Sequence, residues 1–164
     1  MLGVLRQVDE SAPRSPTAGL ARLDDLVSRA RAAGITVRTR TSGAAPALPA
    51  GIDLAAFRIV QEALTNVARH AGPGVTATVN IAYGDDELLL RIEDDGRGAP
   101  GDLPVGGNGI PGMRERVAAL GGDLRTGHRA DAAGFRVEAR LPTREPRARG
   151  AEEKESSTMR KEHE

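Results

Sequence analysis

RIVQEALTNVARHA, residues 58–71, reads as one helix with two opposed faces. Phe57, Val60, Leu64, Val67 and Ala71 recur at steps of three and four and form an apolar stripe. Glu62, Asn66 and His70 recur at every fourth position and form a second stripe. Residues two apart on a 3.6-residue helix point in nearly opposite directions, so the second stripe is turned away from the first. An ordinary wet face carries Lys and Glu. This one lines up an acid, an amide and an imidazole, with Arg69 beside them. Any one of these residues alone reads more readily as part of a solvated surface.

Outward from this helix the pattern is α-β-α-β-β-α-β-β. Toward the N-terminus, Thr17–Ala33 reads as a helix with Leu20, Leu23, Val27 and Ala30 on its apolar face and Gly34 as its stop. Ile35–Arg40 alternates and is β-branched, hence a strand, and Ser42–Gly51 is a Pro/Gly/Ala loop leading to a helix from about Leu54 to Ala71. Toward the C-terminus, Val75–Tyr83 and Glu87–Glu93 alternate around a Gly84-Asp85-Asp86 hairpin turn. A helix over Ile110–Leu120 follows, and Asp123–His128 with Gly134–Leu141 form a last antiparallel pair. Helices separated by hairpins predict an α+β fold, a two-layer sandwich in which a mixed sheet carries its helices on one face.

The 164-residue length suits one compact domain with tails. Two Phe, one Tyr and no Trp leave the core to aliphatic residues. Zero formal net charge argues against nonspecific nucleic-acid binding, a local basic patch aside, and no nucleic-acid partner is expected. With no Cys and three His, disulfides and thiolate metal sites are excluded and a His-rich zinc site is disfavoured. No apolar run approaches the roughly 18 residues of a membrane span, and the start lacks a signal-peptide pattern, so the expected location is cytoplasmic.

Two further motifs follow the polar stripe. Asp94-Asp95-Gly96-Arg97-Gly98 closes a strand; its glycines admit a flat ligand, and a carboxylate there can accept a hydrogen bond from an exocyclic amine. A plain strand-ending turn has the same composition. Gly106-Gly107-Asn108-Gly109-Ile110-Pro111-Gly112 runs into a helix whose first turns carry Arg114 and Arg116. Free N–H groups at a helix start suit a phosphate, although a glycine-rich loop alone is a weak signal and no Gly-Lys-Ser/Thr follows. Asn66 can offer an oxygen to Mg²⁺, and Glu62, one turn away, can act as a base or hold a metal-bound water. Together the three motifs describe a nucleotide site: metal ligand, base reader and phosphate cradle.

In this order, EALTNVARHA, EDDGRGAP, GGNGIPGMRERVAALGG and GFRVEARLP closely resemble the ATP-binding catalytic domain of bacterial sensor histidine kinases, within the GHKL (Bergerat-type) superfamily of gyrase, Hsp90 and MutL. The wording EALTN…RHA and GMRERV is similar to the class of the nitrate sensors and the membrane thermosensor of Bacillus. The resemblance spans about Leu20–Pro142. It implies that Asn66 ligates Mg²⁺, that Glu62 is the acid one turn before it, and that Arg69 and His70 stand near the phosphates. It further implies that Asp94 reads adenine with Gly96 and Gly98 as its glycines, and that Gly107 and Gly109 form a second glycine box behind a lid at 99–108. Many relatives carry Gly-Thr on the last strand, the Thr hydroxyl helping to hold adenine; this chain has Gly134-Phe135.

The resemblance also implies a two-component phosphorelay, in which the γ-phosphoryl of ATP passes to a His on a separate phosphoacceptor domain and from there to a response regulator. No His precedes Leu20, and His70 belongs to the site, which makes it a poor acceptor. For His128 and His163 the bland readings, strand and tail, are preferred. Residues 1–16, with LGVLRQV, resemble the last turns of a dimerisation helix and a linker; 17–142 form the ATP-binding domain; 143–164 read as a disordered charged tail. The expected whole kinase is a homodimer, and this chain alone is expected to bind ATP without phosphorylating itself. A stand-alone ATPase with Glu62 as base, a Ser kinase of the anti-sigma type and a noncatalytic nucleotide-binding module are the alternatives.

Overall fold

The computed structural model describes residues 19–97 and 109–144. The expected dimerisation remnant, Gly98, the lid, Gly107 and the chain beyond residue 144 lie outside the described residues.

A turn of 3-10 helix at Leu20–Arg22 leads into α1 (Leu23–Ala32). Next come β1 (Thr36–Ser42), α2 (Ala50–His70), the hairpin β2 (Thr76–Tyr83) and β3 (Glu87–Asp94), and then α3 (Gly109–Ala119). β4 (Asp123–His128) and β5 (Phe135–Pro142) complete the chain. The five strands form one sheet in the order β1-β2-β3-β5-β4. β1 and β2 run parallel, joined through α2, while every other pair is antiparallel. A parallel pair needs such a crossover, which is why the long helix sits across the sheet.

α2 is the keystone. It is 21 residues long and starts at Ala50, earlier than the Pro/Gly composition around it predicts. Burial of Ile52 makes this first turn helical, and the Asp53 N–H bonds back to the Pro49 carbonyl. The Asp53 side chain also ties in the preceding layer, its Oδ1 accepting from the Leu20 N–H at 2.9 Å. Ile59 and Val60 are fully buried, so the apolar face is wider than the stripe through Val60 and Leu64. Truncating such a residue to Ala removes transfer energy and leaves a cavity, costing about 2–5 kcal/mol.

Period-2 alternation gives the sheet two unlike faces. Val37, Val79, Leu90, Ile92, Val137 and Leu141 point inward and are buried beneath the helices. The opposite face carries half-buried charged residues opposed in register, Arg91 to Glu138 and Glu93 to Arg136. Both couples form ion pairs, Arg91 Nη2 lying 2.8 Å from Glu138 Oε2. No helix among the described residues is long and apolar enough to cross a membrane.

Candidate nucleotide-binding site

The inward row of β3 runs Leu88, Leu90, Ile92 and then Asp94. The alternation that buries three aliphatic side chains thus delivers a carboxylate to the same face. Asp94 is 7% exposed and is the one buried charged residue among those described. It faces an open cleft between α2 and the sheet. From α2 come Ala63, Asn66, Val67 and His70, with Ala71 just past its end; from the sheet come Ile92, Asp94, Phe135 and Val137, with His128 from β4. Gly96, Arg97 and Gly134 complete the lining.

Asp94 is held from several sides. Its Oδ1 accepts from the Gly96 N–H at 2.9 Å, and the Phe135 N–H also donates to the carboxylate. Burial raises its pKa above the ordinary carboxylate value; the two N–H donors and Arg129 pull the other way, and neighbouring Asp95 adds to the rise. An ionised carboxylate has about four acceptor positions, so capacity remains for a donor entering from the cleft. Asp95 does different work. Its Oδ1 accepts from the Thr76 N–H at 2.7 Å and its own N–H bonds the Thr76 carbonyl, fastening the end of β3 to the start of β2.

Two glycines set the approach. A Cβ at Gly96 would sit 2.5 Å from the Ala71 carbonyl oxygen, so the chain leaving β3 presses directly on the end of α2. At Gly134 the backbone has φ +115° and a Cβ would overlap the Asp94 carbonyl oxygen. Only glycine meets both conditions there. Behind Asp94, Arg129 links the β4–β5 turn to the site: Nη1 approaches the Asp94 carbonyl at 3.4 Å and Nη2 meets Asp131 at 3.2 Å.

The structure brings Asn66, His70, Asp94 and Gly96 together around the cleft. Glu62 does not line it; a Cβ at Gly109 would overlap its carboxylate, so Glu62 stands at the start of α3. Arg69 is exposed near the end of α2. Arg114 is engaged on β4, its Nη2 lying 3.4 Å from Thr126 Oγ1. Arg97, His128 and Phe135 also line the cleft; the motif reading gave the first two no role, and the resemblance put position 135 where many relatives hold adenine with a Thr hydroxyl. Register is the signal that finds the last two. His128 pairs with Phe135, in phase with Leu124–Ala139 and Thr126–Val137 on the helix-facing side.

The geometry fits a nucleotide with its metal: a buried carboxylate for an amine donor, aliphatic walls for a flat ring, and an amide oxygen of the kind Mg²⁺ accepts alongside phosphate oxygens and water. Residues 51–145 match the family of histidine kinase-, DNA gyrase B- and HSP90-like ATPases. The chain belongs to this family. It is 43% identical over 88 residues to the signal transduction histidine-protein kinase/phosphatase UhpB of Salmonella typhimurium, covering 54% of this chain and 17% of that protein. It is 38% identical over 96 residues to the sensor protein VraS of Staphylococcus aureus, covering 58% of this chain and 27% of that one. The chain therefore spans about a sixth to a quarter of these relatives. Among solved structures, the histidine kinase domain of the Erythrobacter litoralis EL346 blue-light activated kinase superposes with a TM-score of 0.61 at 23% identity, over 79% of this chain and 65% of that one. The mycobacterial sensor histidine kinase MprB gives 0.57 at 21%, over 77% and 96%. Both share the α+β fold of this chain, in which five strands form one mixed sheet.

Proposed function

We propose that this chain is the Mg·ATP-binding catalytic domain of a two-component sensor histidine kinase, acting on a His of a separate phosphoacceptor domain. The observation that carries the reading is Asp94: a buried carboxylate, held by two N–H donors, on the floor of a cleft shared with Asn66 and His70. A buried charge without an ionic partner is costly, and an incoming adenine amine supplies a donor to it.

In this reading Asp94 orients the base, and the walls formed by Val67, Ala71, Ile92 and Val137 exclude water from its ring. Asn66 is the residue that would hold Mg²⁺, which neutralises charge on the phosphate oxygens when bound. His70 and Arg97 lie at the same cleft, and Arg69 stands on the neighbouring α2 surface, positioned to meet phosphate charge. Glu62, at the start of α3, would bear on the metal-bound water or on the position of the glycine segment around Gly109. Gly98, Gly107, Gly109 and Arg114 complete the proposed nucleotide contacts. In the transfer, a neutral acceptor imidazole nitrogen forms a bond to the γ-phosphorus as the bond to the β-bridging oxygen breaks; ADP leaves and the imidazole gives up its proton. The domain supplies positioning and charge neutralisation. Transfer onward to a response regulator, a homodimeric whole kinase and a cytoplasmic site of action belong to the same proposal.

The test uses γ-labelled ATP. The isolated chain binds ATP and acquires no label. Supplied with a His-bearing dimerisation hairpin from a related sensor kinase, it places acid-labile, base-stable label on the hairpin. Label on the isolated chain, or phosphate release abolished by Glu62→Ala with no transfer to any hairpin, contradicts the proposal.

A further inference from the structure

The cleft contains an aromatic wall where many relatives carry a Thr hydroxyl. Phe135 is one of only three Phe and Tyr residues in the chain, and it stands half-buried at the cleft rather than in the core. Its backbone N–H donates to the Asp94 carboxylate while its side chain lies on the helix-facing side of β5, in phase with buried Val137 and Ala139. His128, opposite it on β4, also lines the cleft, and the two rings meet at 5.7 Å between centroids and 87° between planes. Edge-to-face packing of this kind fixes ring orientation, since a ring edge meets the electron-rich face of its neighbour. Gly134 delivers the wall: its φ of +115° lets β5 begin directly against the Asp94 backbone, so the residue after it arrives beside the carboxylate. The carboxylate and the aromatic ring are thus fixed to each other through one residue.

Resting on the reading of the cleft as an adenine-nucleotide site, we infer that Phe135 is a specificity-determining residue that packs against the nucleobase, with His128 as the positioning residue that holds its ring. Asp94 recognises a hydrogen-bond donor, which the exocyclic amines of adenine and cytosine both present. The aromatic surface adds a preference for the larger purine ring. Base–aromatic packing at single sites corresponds to roughly a tenfold change in affinity.

The experiment titrates the full chain with Mg·ATP and Mg·CTP. The wild type prefers ATP. Phe135→Leu, which keeps an apolar side chain of similar bulk, weakens ATP about tenfold and narrows the ATP/CTP ratio, because CTP loses less. His128→Ala narrows the ratio by a smaller factor and His128→Phe restores it. Since the chain has no Trp, F135W supplies a single Trp, excited selectively over Tyr83; saturating ATP quenches it and tripolyphosphate does not. Should Phe135→Leu fail to fold, the F135W quench decides. Unchanged ATP affinity and ATP/CTP ratio in Phe135→Leu, or an unquenched F135W chain that still binds ATP, overturns the aromatic wall and leaves the proposed function standing. A wild-type chain that binds no ATP overturns both.

Discussion

Asp94 and Asn66 face the same cleft from different layers and are held in different ways. Asp94 is buried, accepts from two backbone N–H groups, and is backed by Asp95 and Arg129 on either side. On α2 from Arg58 onward, the polar side chains that bond do so along their own helix: Thr65 Oγ1 donates to the Gln61 carbonyl and Arg58 to Gln61 Oε1. Asn66 and His70 sit in the cleft without such ties to described residues. The carboxylate end is built before any ligand arrives, whereas the amide end is a set of side chains ready to take up ligands. Under the proposed function, a rigid base reader is paired with an adaptable metal and phosphate wall, which suits a ligand whose base is constant and whose phosphate end changes during turnover.

The largest expected effect comes from the backbone of the built end. Gly134→Ala forces a Cβ into the Asp94 carbonyl at a φ that L residues avoid, and should cost about 2–4 kcal/mol of stability with loss of ATP binding, read by thermal melts and calorimetry. Next is Asn66→Ala at the adaptable end, with ATP affinity falling about tenfold in Mg²⁺ and little in EDTA, while the melting temperature stays put. A drop of equal size in EDTA would place Asn66 on the base rather than the metal. Acidification gives a graded version at the built end. Because the Asp94 pKa is raised, its carboxylate picks up a proton above the usual carboxylate range, and ATP affinity falls there as pH is lowered. The stability sign is opposite: the native state holds that proton to higher pH than the unfolded chain, so the contribution of Asp94 to stability declines as pH rises through the window between the two values. A flat pH profile of binding would separate Asp94 from the ligand. The smallest effect belongs to the solvent face. Arg91→Ala breaks the pair with Glu138, whose Arg side chain is 42% exposed, and should cost about 1 kcal/mol or less without altering ATP affinity.

The sequence made the sheet and its helices readable because alternation held over Val75–Tyr83 up to a clear hairpin turn and 3.6-residue periodicity held over Phe57–Ala71. The start of α2 was not readable, since Ala50 and Gly51 follow a Pro/Gly loop and only burial of Ile52 against the other layers makes them helical. In the site, Asn66 and His70 were legible as a stripe. From the residues alone Asp94 and Asp95 were interchangeable; the strand phase that separates a cleft carboxylate from a structural one depends on where β3 is anchored, a tertiary fact. His128 was hidden for the same reason, because its meeting with Phe135 requires the β4–β5 register, whereas position 135 was marked by the resemblance, which puts an adenine-holding Thr there in many relatives.

The account rests on Asp94 serving the ligand at the expense of the fold. Titrating wild type and Asp94→Asn with Mg·ATP, with thermal melts of both at neutral pH, tests it most directly. Asn keeps an acceptor for the Gly96 and Phe135 N–H groups and removes the buried charge. The expected result is a melting temperature equal to or above wild type with ATP binding at least about tenfold weaker. A variant that melts lower and binds ATP as tightly as wild type would show that the carboxylate holds the fold and does not read the base.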